Sequence, residues 1–395
     1  MDMQWLQIDS LIHLIASASY PFPSVLQALS APSFVFPAEG MPGSRYLPGS
    51  SVMDHVEIEG ESLALRLMHA PSDYCATLQP HSGTQANQMV YHAVLKPQDR
   101  VVALNPKNGG HISHTVLIGR ANKVHYFGLD QNSLPDYVQL EILANQVKPR
   151  LIIVGGSSLP RQIDFRRCGE IAQQCGAYLH GDISHTATFI AGKLHASPFP
   201  HCDFLTFNTV KNLRGPNGGV LMFRRDHKAV IAQAIFPTSQ GGANETNMLG
   251  KFAVFSEWQT HDINAYAASI VAAAQIMGEE LKSAGISLVT NGTDSHILLI
   301  DLRTTSQTGA DVERRLEHIG VLVNRNLVPY DPRSPLETSG IRIGTANLAI
   351  LNYEEADLKS LARLIANVIL NRSTDTDITK KLLEKYNRAT SWHGV

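Results

Sequence analysis

A lysine, an aspartate and a histidine in the middle of this chain are placed so that they could act together on a carbonyl compound. Lys211 follows the apolar run "DFLTFN", and Asp182 ends the run "AYLHGD" 29 residues earlier. A lysine amine forms Schiff bases with carbonyls, and pyridoxal phosphate pairs such a lysine with an acidic partner for its ring nitrogen. His111, in "GGH", offers an imidazole that can stack on a planar ring. Taken singly, each residue also fits a surface, capping or loop role, but the set predicts a pyridoxal-phosphate site.

A candidate phosphate loop lies upstream of these residues. The tripeptide Ser82-Gly83-Thr84 comes directly before a helix-like stretch. Small residues at a helix N-terminus let backbone N–H groups approach an anion, and a threonine hydroxyl adds a further donor. Taken alone, the tripeptide is more typical of a plain helix cap than of a phosphate site, so the phosphate interpretation depends on the lysine and aspartate that follow it.

The elements that must position these residues alternate between apolar runs and helical patterns. Such alternation favours a mostly parallel sheet with both faces covered, the α/β class. Buried parallel strands are near-continuous apolar runs, as these are. The predicted strands cover 99–105, 149–156, 177–182, 203–208 and 218–223, with a helix at 167–176 that a glycine closes.

A change to an α+β pattern follows the central region. A long helical stretch at 264–285 precedes short apolar runs at 296–303, 321–326 and 340–345 and a helical tail from about Glu354. The sequence therefore predicts three parts: an N-terminal arm over 1–50, a large domain over 51–275 and a smaller C-terminal domain over 276–395. The arm is rich in Pro, Gly and Ser, which suggests that it packs on a body, either its own or that of a partner subunit.

The composition argues against several classes of protein: nucleic-acid-binding, secreted, membrane-spanning and metal-binding. The 395 residues carry a formal net charge of −2 with no dominant basic block, which argues against a nucleic-acid partner. The first twenty residues have no basic region, and polar residues interrupt their apolar run, so neither a signal peptide nor a membrane span is predicted. The four cysteines lack metal-site spacing, and reduced thiols are favoured over a disulfide or a metal site. A cytoplasmic enzyme without a metal is expected.

A family resemblance becomes visible when the motifs are read in order. They resemble serine hydroxymethyltransferase, a pyridoxal-phosphate enzyme of fold type I, whose patterns include LIASEN, AEGYPGKRYY, PHSGSQAN, HGGHxTH, DxAH, HKTLRGPRGG and TSGIRxGT. The matching segments of this chain, which extend over roughly residues 10 to 365, are "LIASAS", "AEGMPGSRY", "PHSGTQAN", "NGGHISH", "DISH", "VKNLRGPNGG" and "TSGIRIGT".

The resemblance implies a role for each residue around the cofactor. Lys211 corresponds to the lysine that holds pyridoxal 5'-phosphate as a Schiff base, and Asp182 to the partner of the ring nitrogen. His111 is implied to stack on the ring. The remaining implied cofactor contacts are those of the phosphate, Ser82, Gly83 and Thr84, and those near the phenolic oxygen, Ser158 and His185.

Substrate and subunit contacts are implied in the same way. Arg342 would grip the carboxylate of an amino acid through its two-pronged guanidinium, with help from Ser17. Glu39 matches an acid/base glutamate contributed across a homodimer interface, and Gly242 would reach the phosphate of a partner subunit. Glu39, His111 and Tyr46 are therefore the candidates, beside Lys211, for catalytic groups.

Several positions depart from the family's pattern. Small or apolar residues replace several groups that orient the substrate hydroxyl and folate: Val210 for histidine, Ala18 for glutamate, Ser19 for asparagine, and Leu47 and Pro37 for tyrosines. Asn212 stands in place of a threonine. Arg161 is expected near the cofactor edge. Tyr330 replaces a small polar residue in a loop that resembles the pterin-lining loop, where its ring fills space or stacks on another substrate. The resemblance implies tetrahydrofolate as a co-substrate, and these departures argue against it.

Three functions follow from these observations. The first is aldol or retro-aldol chemistry at the Cα–Cβ bond of a β-hydroxy amino acid, as in a hydroxymethyltransferase, aldolase or transaldolase, within a specialised biosynthetic pathway. The second keeps the cofactor but changes the reaction to β- or γ-replacement, cyclisation, decarboxylation or oxidation by O₂. The third is a non-catalytic binding protein, which the retained Lys211, Asp182, His111 and Arg342 disfavour.

Overall fold

The N-terminal segment of the computed structural model is a series of short elements that lie on the rest of the chain. The structure describes residues 10–118, 122–373 and 377–386. The first elements are β1 (Ile12–His13), α1 (Pro23–Leu29), the hairpin strands β2 (Gly40–Met41) and β3 (Ser44–Arg45), and helix α2 (Ser51–Leu67). Pro23 begins α1, where its missing N–H would have no partner within the helix and its fixed φ suits the first turn.

A seven-stranded sheet forms the centre of the large domain. Its strands are β4 (Tyr74–Thr77), β5 (Arg100–Leu104), β6 (Lys123–Phe127), β7 (Leu151–Gly155), β8 (Tyr178–Asp182), β9 (Phe204–Asn208) and β10 (Gly219–Arg224). The spatial order is β4-β10-β9-β8-β7-β5-β6. All neighbouring pairs from β9 to β6 are parallel, whereas β10 runs antiparallel to β9 and β4. The predicted mostly parallel sheet is confirmed.

Helices cover both faces of this sheet. They are α3 (Gly83–Val94), α4 (Tyr137–Val147), α5 (Phe165–Cys175), α6 (Ala187–Ala191), α7 (Lys228–Gln233) and α8 (Glu245–Glu257). Successive side chains of a strand point to opposite faces. In β5, Val102 and Leu104 accordingly join one apolar cluster, and Val101 and Ala103 join another. Two buried layers explain why the central strands are continuous apolar runs rather than alternating ones.

The C-terminal part is a smaller α+β unit. It contains α9 (Ile263–Ser283), β11 (Ser287–Leu288), β12 (Ile297–Asp301), α10 (Gly309–His318), β13 (Val321–Leu322), β14 (Asn324–Asn326), β15 (Gly340–Gly344), α11 (Ala346–Ile350), α12 (Glu355–Ile369) and α13 (Asp377–Lys385). Four strands form an antiparallel sheet in the order β11-β12-β15-β14. The division at residue 275 remains a prediction, and it falls inside the continuous helix α9, which packs on α12.

The N-terminal segment binds to this smaller unit of its own chain. β1 pairs in parallel with β13, with Ile12 opposite Val321. The N–H of Leu14 then donates to the carbonyl of Leu322 at 2.9 Å, and the N–H of Gly344 donates to Leu14 at 2.8 Å. The segment is thereby carried across the face of the small sheet towards the carboxyl ends of the large one.

Two strands of the large sheet have no counterpart among the predicted strands, and both lie at its edges. β6 reads "KVHYF", in which only Phe127 is buried, and β4 is only four residues long. An edge strand needs no continuous apolar run, because one of its sides has no neighbouring strand. None of the helices in the described ranges is both long and apolar enough to cross a membrane.

Candidate active site

Lys211 and Asp182 are brought together by the pairing of two neighbouring parallel strands. Asp182 is the last residue of β8 and lies opposite Thr206 of β9, and Lys211 follows the end of β9 by three residues. Carboxyl ends of adjacent parallel strands share one edge of a sheet, which is where open α/β folds bind ligands. Burial lowers the pKa of Lys211 to about 8, even though the negative charge of Asp182 opposes the shift.

A tight turn presents the lysine. The hydroxyl of Thr209 donates to the carbonyl of Pro216 at 2.6 Å, and the N–H of Gly215 donates to Thr209 at 2.9 Å. A Cβ on Gly215 would lie 2.8 Å from the Cβ of Thr209, so a larger residue does not fit there. The Gly-Pro pair therefore fixes the loop from which Lys211 projects.

Asp182 is held by three side chains from three segments. Its Oδ2 accepts from Asn87 Nδ2 at 2.9 Å and bonds His114 Nε2 at 3.0 Å, while its Oδ1 accepts from Ser184 Oγ at 2.6 Å. Burial alone would raise the pKa of this carboxyl. The hydrogen bond and charge of His114, with Lys211 and Ser184, outweigh burial and hold the pKa of Asp182 well below its usual range. Asp182 is therefore a buried carboxylate that suits a cationic ring nitrogen.

His111 and Ser158 lie on loops that touch each other. His111 follows β5 and bonds Ser113 Oγ through Nδ1 at 2.6 Å. Burial lowers its pKa to about 4, against the attraction of Asp182, so this imidazole is neutral at physiological pH. Ser158 is buried after β7, and a Cβ on Gly109 would lie 3.2 Å from its hydroxyl. Both side chains thus reach the same edge of the sheet as Lys211.

Arg342 is a buried cation without an acidic partner. It lies in β15 of the small sheet, where Nε donates to Asn324 Oδ1 at 3.1 Å and one terminal nitrogen donates to the carbonyl of Ser157. Throughout the described ranges, no carboxylate forms an ion pair with this guanidinium. Burial lowers its pKa to about 10. A buried charge is costly unless it is paired, so the site is suited to an anionic ligand.

Electrostatic interactions connect these residues into one group. Lys211 interacts with Asp182 and Arg342. His111 and His185 each interact with these three residues. We call this group the inner cluster: Lys211, Asp182, Arg342, His111 and His185.

The candidate phosphate loop is anchored next to the inner cluster. Ser82 caps α3 by accepting from the N–H of Gln85 at 3.1 Å, and Gly83 and Thr84 open the helix. A Cβ on Gly83 would lie 3.7 Å from Ser184 Oγ, the group that donates to Asp182. Thr84 is exposed at the helix N-terminus. The N-terminus of α3 therefore lies next to a side chain that bonds Asp182, so one site can include both.

A buried lysine fixes the approach to this loop. Lys251 Nζ, on α8, donates to the carbonyls of Leu78 and Pro80 at 2.6 and 2.7 Å. Burial lowers the pKa of Lys251 to about 7, with Glu57 opposing the shift. Sequence patterns did not single out Lys251, because nothing local distinguishes it from the other lysines.

Ser17 lies in a half-buried turn, and the residues beside it contact the loop of Lys211 and the side chain of His296. The hydroxyl of Ser19 donates to the backbone carbonyl of Lys211, and its N–H donates to Val210 at 3.2 Å. The carbonyl of Ala16 bonds His296 Nε2 at 3.1 Å. Ser17 therefore lies between two residues that bond segments of the site, and its role at the substrate carboxylate stays a prediction.

Glu39, Tyr46 and Gly242 form a separate group, the outer cluster. The backbone of Glu39 pairs with that of Gly242 in an isolated antiparallel β-bridge. The N–H of Tyr46 donates to the carbonyl of Glu39 at 3.1 Å. The ring of Tyr46 is 69% exposed and lies 4.8 Å from that of Phe236. Over the residues that the structure describes, no hydrogen bond or ion pair joins Glu39 or Tyr46 to the inner cluster.

The hairpin that carries the outer cluster is fixed by Arg45. Its guanidinium pairs with Asp54 at 2.7 Å and Glu57 at 2.6 Å, both on α2, and donates to the carbonyl of Gly40 at 2.6 Å. The Arg45 side chain is 5% exposed. The hairpin is therefore a rigid projection and not a loose loop, although the sequence marks it only by glycines.

Arg161 joins the large domain to the small one. Its guanidinium pairs with Asp294 at 2.5 Å and donates to the carbonyl of Thr290 at 2.9 Å. Within the described ranges no hydrogen bond or ion pair joins Arg161 to Lys211 or Asp182, and its position at the cofactor edge stays a prediction. The carboxylate of Asp294 captures the guanidinium, and no sequence pattern shows that a residue 133 positions away will lie beside it.

Tyr330 closes the gap between the two domains. Its hydroxyl donates to the carbonyl of Leu129 at 2.6 Å, and its N–H donates to Asn108 Oδ1 at 3.3 Å. The side chain lies over Gly128, where a Cβ would approach the hydroxyl to 3.3 Å. The ring remains 64% exposed. It therefore occupies the mouth between the loops that follow β5, β6 and β14.

Sequence reasoning missed three side chains that complete the site. His114 and Asn87 hold Asp182, and His296 bonds His185. The pair His111 and His114, three residues apart in "HISH", is a signal that could have pointed to His114. Asn87 ends the motif "PHSGTQAN", which is a signal that could have pointed to it. His296 leaves no such signal, because its partner His185 is distant in sequence.

Comparison with known proteins adds an independent finding. Residues 4–365 match the sequence model of the family described as serine hydroxymethyltransferase. The chain is 39% identical over 384 residues to a serine hydroxymethyltransferase of Bordetella avium (strain 197N), covering 96% of this chain and 91% of that protein. It is also 39% identical over 370 residues to a serine hydroxymethyltransferase of Ralstonia pickettii (strain 12J), covering 93% and 88%.

Proposed function

Since this chain belongs to the serine hydroxymethyltransferase family of pyridoxal-phosphate enzymes, we propose that it cleaves or forms the Cα–Cβ bond of a β-hydroxy amino acid. The observation that carries the proposal is the buried, unpaired guanidinium of Arg342 beside a buried lysine and carboxylate. An amino acid brings both the carboxylate that Arg342 lacks and an amine that exchanges with that of Lys211. The same arrangement disfavours a non-catalytic role, because an unpaired buried cation costs stability.

The residues of the inner cluster fit the cofactor. Lys211 would hold pyridoxal 5'-phosphate through its amine, Asp182 would pair with the ring nitrogen, and His111 would lie on the ring face. The N-terminus of α3, with Ser82, Gly83 and Thr84, would take the phosphate. When bound, the cofactor withdraws electrons from Cα of the amino acid. The low pKa of Asp182 supports this fit, because an ionised carboxylate keeps the ring nitrogen protonated.

Orientation of the amino acid decides which bond to Cα breaks. Arg342 is fixed by Asn324 and by the backbone of Ser157, so its remaining donors point in one direction. A guanidinium binds a carboxylate through two parallel hydrogen bonds, which sets direction as well as affinity. Ser17, with Ser158 and His185 on the cofactor side, completes the proposed grip.

The proton of the substrate hydroxyl needs an acceptor. His111 is neutral at physiological pH and therefore able to accept, since burial lowers its pKa to about 4. Glu39 and Tyr46 are the other candidates, but in one chain they belong to the outer cluster. We propose that a homodimer brings the outer cluster of one subunit, including Gly242, to the inner cluster of its partner.

Mixed dimers test this shared site. Glu39→Gln and Lys211→Ala homodimers are each expected to have little activity, because every site lacks one group. A heterodimer of the two variants contains one site with both groups intact, so random mixing should restore about a quarter of the wild-type activity. Activity is measured after unfolding and refolding the two variants together, with each variant refolded alone as the control. No recovery in verified heterodimers would place Glu39 and Lys211 in the same subunit's site.

Folate dependence separates the finer versions of the function. Tyr330 bridges two loops at the mouth of the site, and the positions of Val210, Ala18 and Leu47 carry no hydrogen-bonding side chain. We therefore propose that the aldol-type reaction runs without tetrahydrofolate. Holoenzyme incubated with L-threonine is expected to give acetaldehyde and glycine at a rate that tetrahydrofolate leaves unchanged.

The Tyr330→Asn variant sharpens the same test. It restores a small polar side chain, so we expect folate-dependent turnover of L-serine to rise while threonine cleavage stays within about twofold. Tyr330→Phe keeps the ring and serves as the matched control. Wild-type turnover of serine that requires tetrahydrofolate would contradict folate independence. Product formation only in the presence of O₂, or loss of the β-substituent without an aldehyde product, would instead favour the changed chemistries.

A further inference from the structure

His296 is a buried residue that touches three parts of the site. It lies directly before β12 in the small domain, and its Nε2 is 3.2 Å from His185 Nδ1 and 3.1 Å from the carbonyl of Ala16. Its ring lies edge to edge with that of His185, with centroids 5.4 Å apart and planes inclined by 12°. The ring of Phe189 packs against it at 5.6 Å. A small-domain residue therefore contacts both the inner cluster and the segment that carries Ser17.

The contacts of His296 fix its own tautomer. A neutral imidazole has one N–H donor and one acceptor nitrogen. Burial lowers the pKa of His296 to about 3, so the ring is neutral. The carbonyl of Ala16 can only accept, so Nε2 must carry the proton. The opposite nitrogen, Nδ1, is buried without a partner in the described structure, which is less costly for an acceptor than for a donor.

The tautomer of His296 in turn fixes that of His185. The Nε2–H of His296 faces His185 Nδ1 at 3.2 Å, so this nitrogen must be the acceptor. Burial, with the charges of Lys211 and Arg342, holds the pKa of His185 well below its usual range, so the second ring is also neutral. Its proton therefore resides on Nε2, which leaves a donor for an oxygen atom bound in the site.

We propose that His296 is a positioning residue that keeps His185 as an Nε2–H donor and holds the Ala16–Ser17 turn against the same site. The proposal rests on the proposed function in one respect, namely that the oxygen facing His185 belongs to the cofactor. The contact between His296 and the carbonyl of Ala16 extends the effect to the substrate, because Ser17 follows Ala16 in the chain. A Cβ on Gly344 would lie 2.4 Å from Ala16 Cα, so the turn is confined between β15 and His296.

Two substitutions separate the hydrogen bond from the packing. His296→Gln keeps an N–H donor at a position like that of Nε2 but loses the aromatic ring. His296→Phe keeps an aromatic ring beside His185 and Phe189 but loses the donor. A packing role predicts that phenylalanine is the better replacement, whereas the proposed role predicts that glutamine is.

The direct measurement is the tautomer of His185. In full-length protein labelled with ¹⁵N-histidine, long-range ¹H–¹⁵N correlations distinguish Nε2–H from Nδ1–H, and a His185→Asn variant assigns the signal. We expect a single Nε2–H form in wild type and in His296→Gln, and a mixture or an Nδ1–H form in His296→Phe. An Nδ1–H form in the wild type would overturn the proposal even if neither variant folds.

Kinetics provide the second readout. We expect the KM for the amino acid to rise roughly two- to tenfold in His296→Phe, the factor that one hydrogen bond supplies, and less in His296→Gln. The cofactor absorption should shift in His296→Phe and not in His296→Gln. Equal tautomer and equal spectra in both variants would reduce His296 to a packing residue. Because the tautomer is measured without turnover, failure of the proposed reaction would leave this test intact.

Discussion

Replacing Lys211 by alanine is expected to abolish the visible absorption of the Schiff base and to lower activity by at least about 10³-fold, the size of effect seen when a covalent catalytic group is removed. The amine is buried, and it interacts with Asp182 and Arg342. No other amine of the inner cluster can replace it. Absorption spectra and steady-state turnover of the purified variant measure the two effects.

Matched variants distinguish chemistry from folding in this experiment. Lys211→Arg keeps a cation but cannot form the Schiff base, so it should be as inactive as the alanine variant. Lys359→Ala removes a surface lysine that pairs with Glu355 on α12, and it should behave as wild type. A Lys211→Ala protein with the wild-type spectrum would refute the assignment of the lysine.

The same lysine predicts a pH dependence. Burial lowers its pKa from 10.5 to about 8, so the neutral amine becomes the main form as the pH rises through 8. The rate at which cofactor-free protein captures pyridoxal phosphate should therefore rise with a midpoint near pH 8. Since the folded state binds fewer protons than the unfolded state between these two values, this group also makes the cofactor-free protein more stable as the pH rises from about 8 to 10.5. A midpoint near 10.5 would show that the amine is not buried.

Replacing Arg342 by methionine is expected to reduce kcat/KM for the amino acid by roughly 10²- to 10³-fold, because truncating one partner of a buried, hydrogen-bonded charge pair costs about 2–5 kcal/mol. Arg342 is 8% exposed, and its guanidinium has no acidic partner within the described ranges. The loss should appear mainly in KM if Arg342 holds substrate and transition state equally, and also in kcat if it aligns the breaking bond.

Stability measurements make the Arg342 result specific. A buried charge without a counter-ion destabilises the fold, and methionine removes it at similar volume, so the free energy of unfolding without substrate should fall little or even rise. Arg363→Met, on the surface beside Glu280, is the control and should leave KM unchanged. The substrate carboxylate would have to bind elsewhere if the Arg342→Met protein kept the wild-type KM. The same conclusion would follow if this variant lost activity only by unfolding.

The sequence alone was enough to determine that Lys211 and Asp182 lie near each other. Asp182 ends β8 and Lys211 follows β9, the next strand in the chain, and these two parallel strands present their carboxyl ends at one edge of the sheet. Apolar runs predicted the strands because both faces of the sheet are buried. The motif resemblance also identified Arg342, although β15 lies 131 residues beyond Lys211.

Contacts between distant segments were decided by the tertiary structure. Arg161 pairs with Asp294 of the small domain, and Lys251 supports the candidate phosphate loop from another helix. The tautomer of His185 depends on His296, which lies 111 residues away. Glu39 lies apart from Lys211 within one chain, which local patterns cannot show. Residue types and local spacing specify which groups are present and which strands carry them. Their partners and ionisation states depend on packing, because burial and neighbouring charges come from segments that meet only in the folded chain.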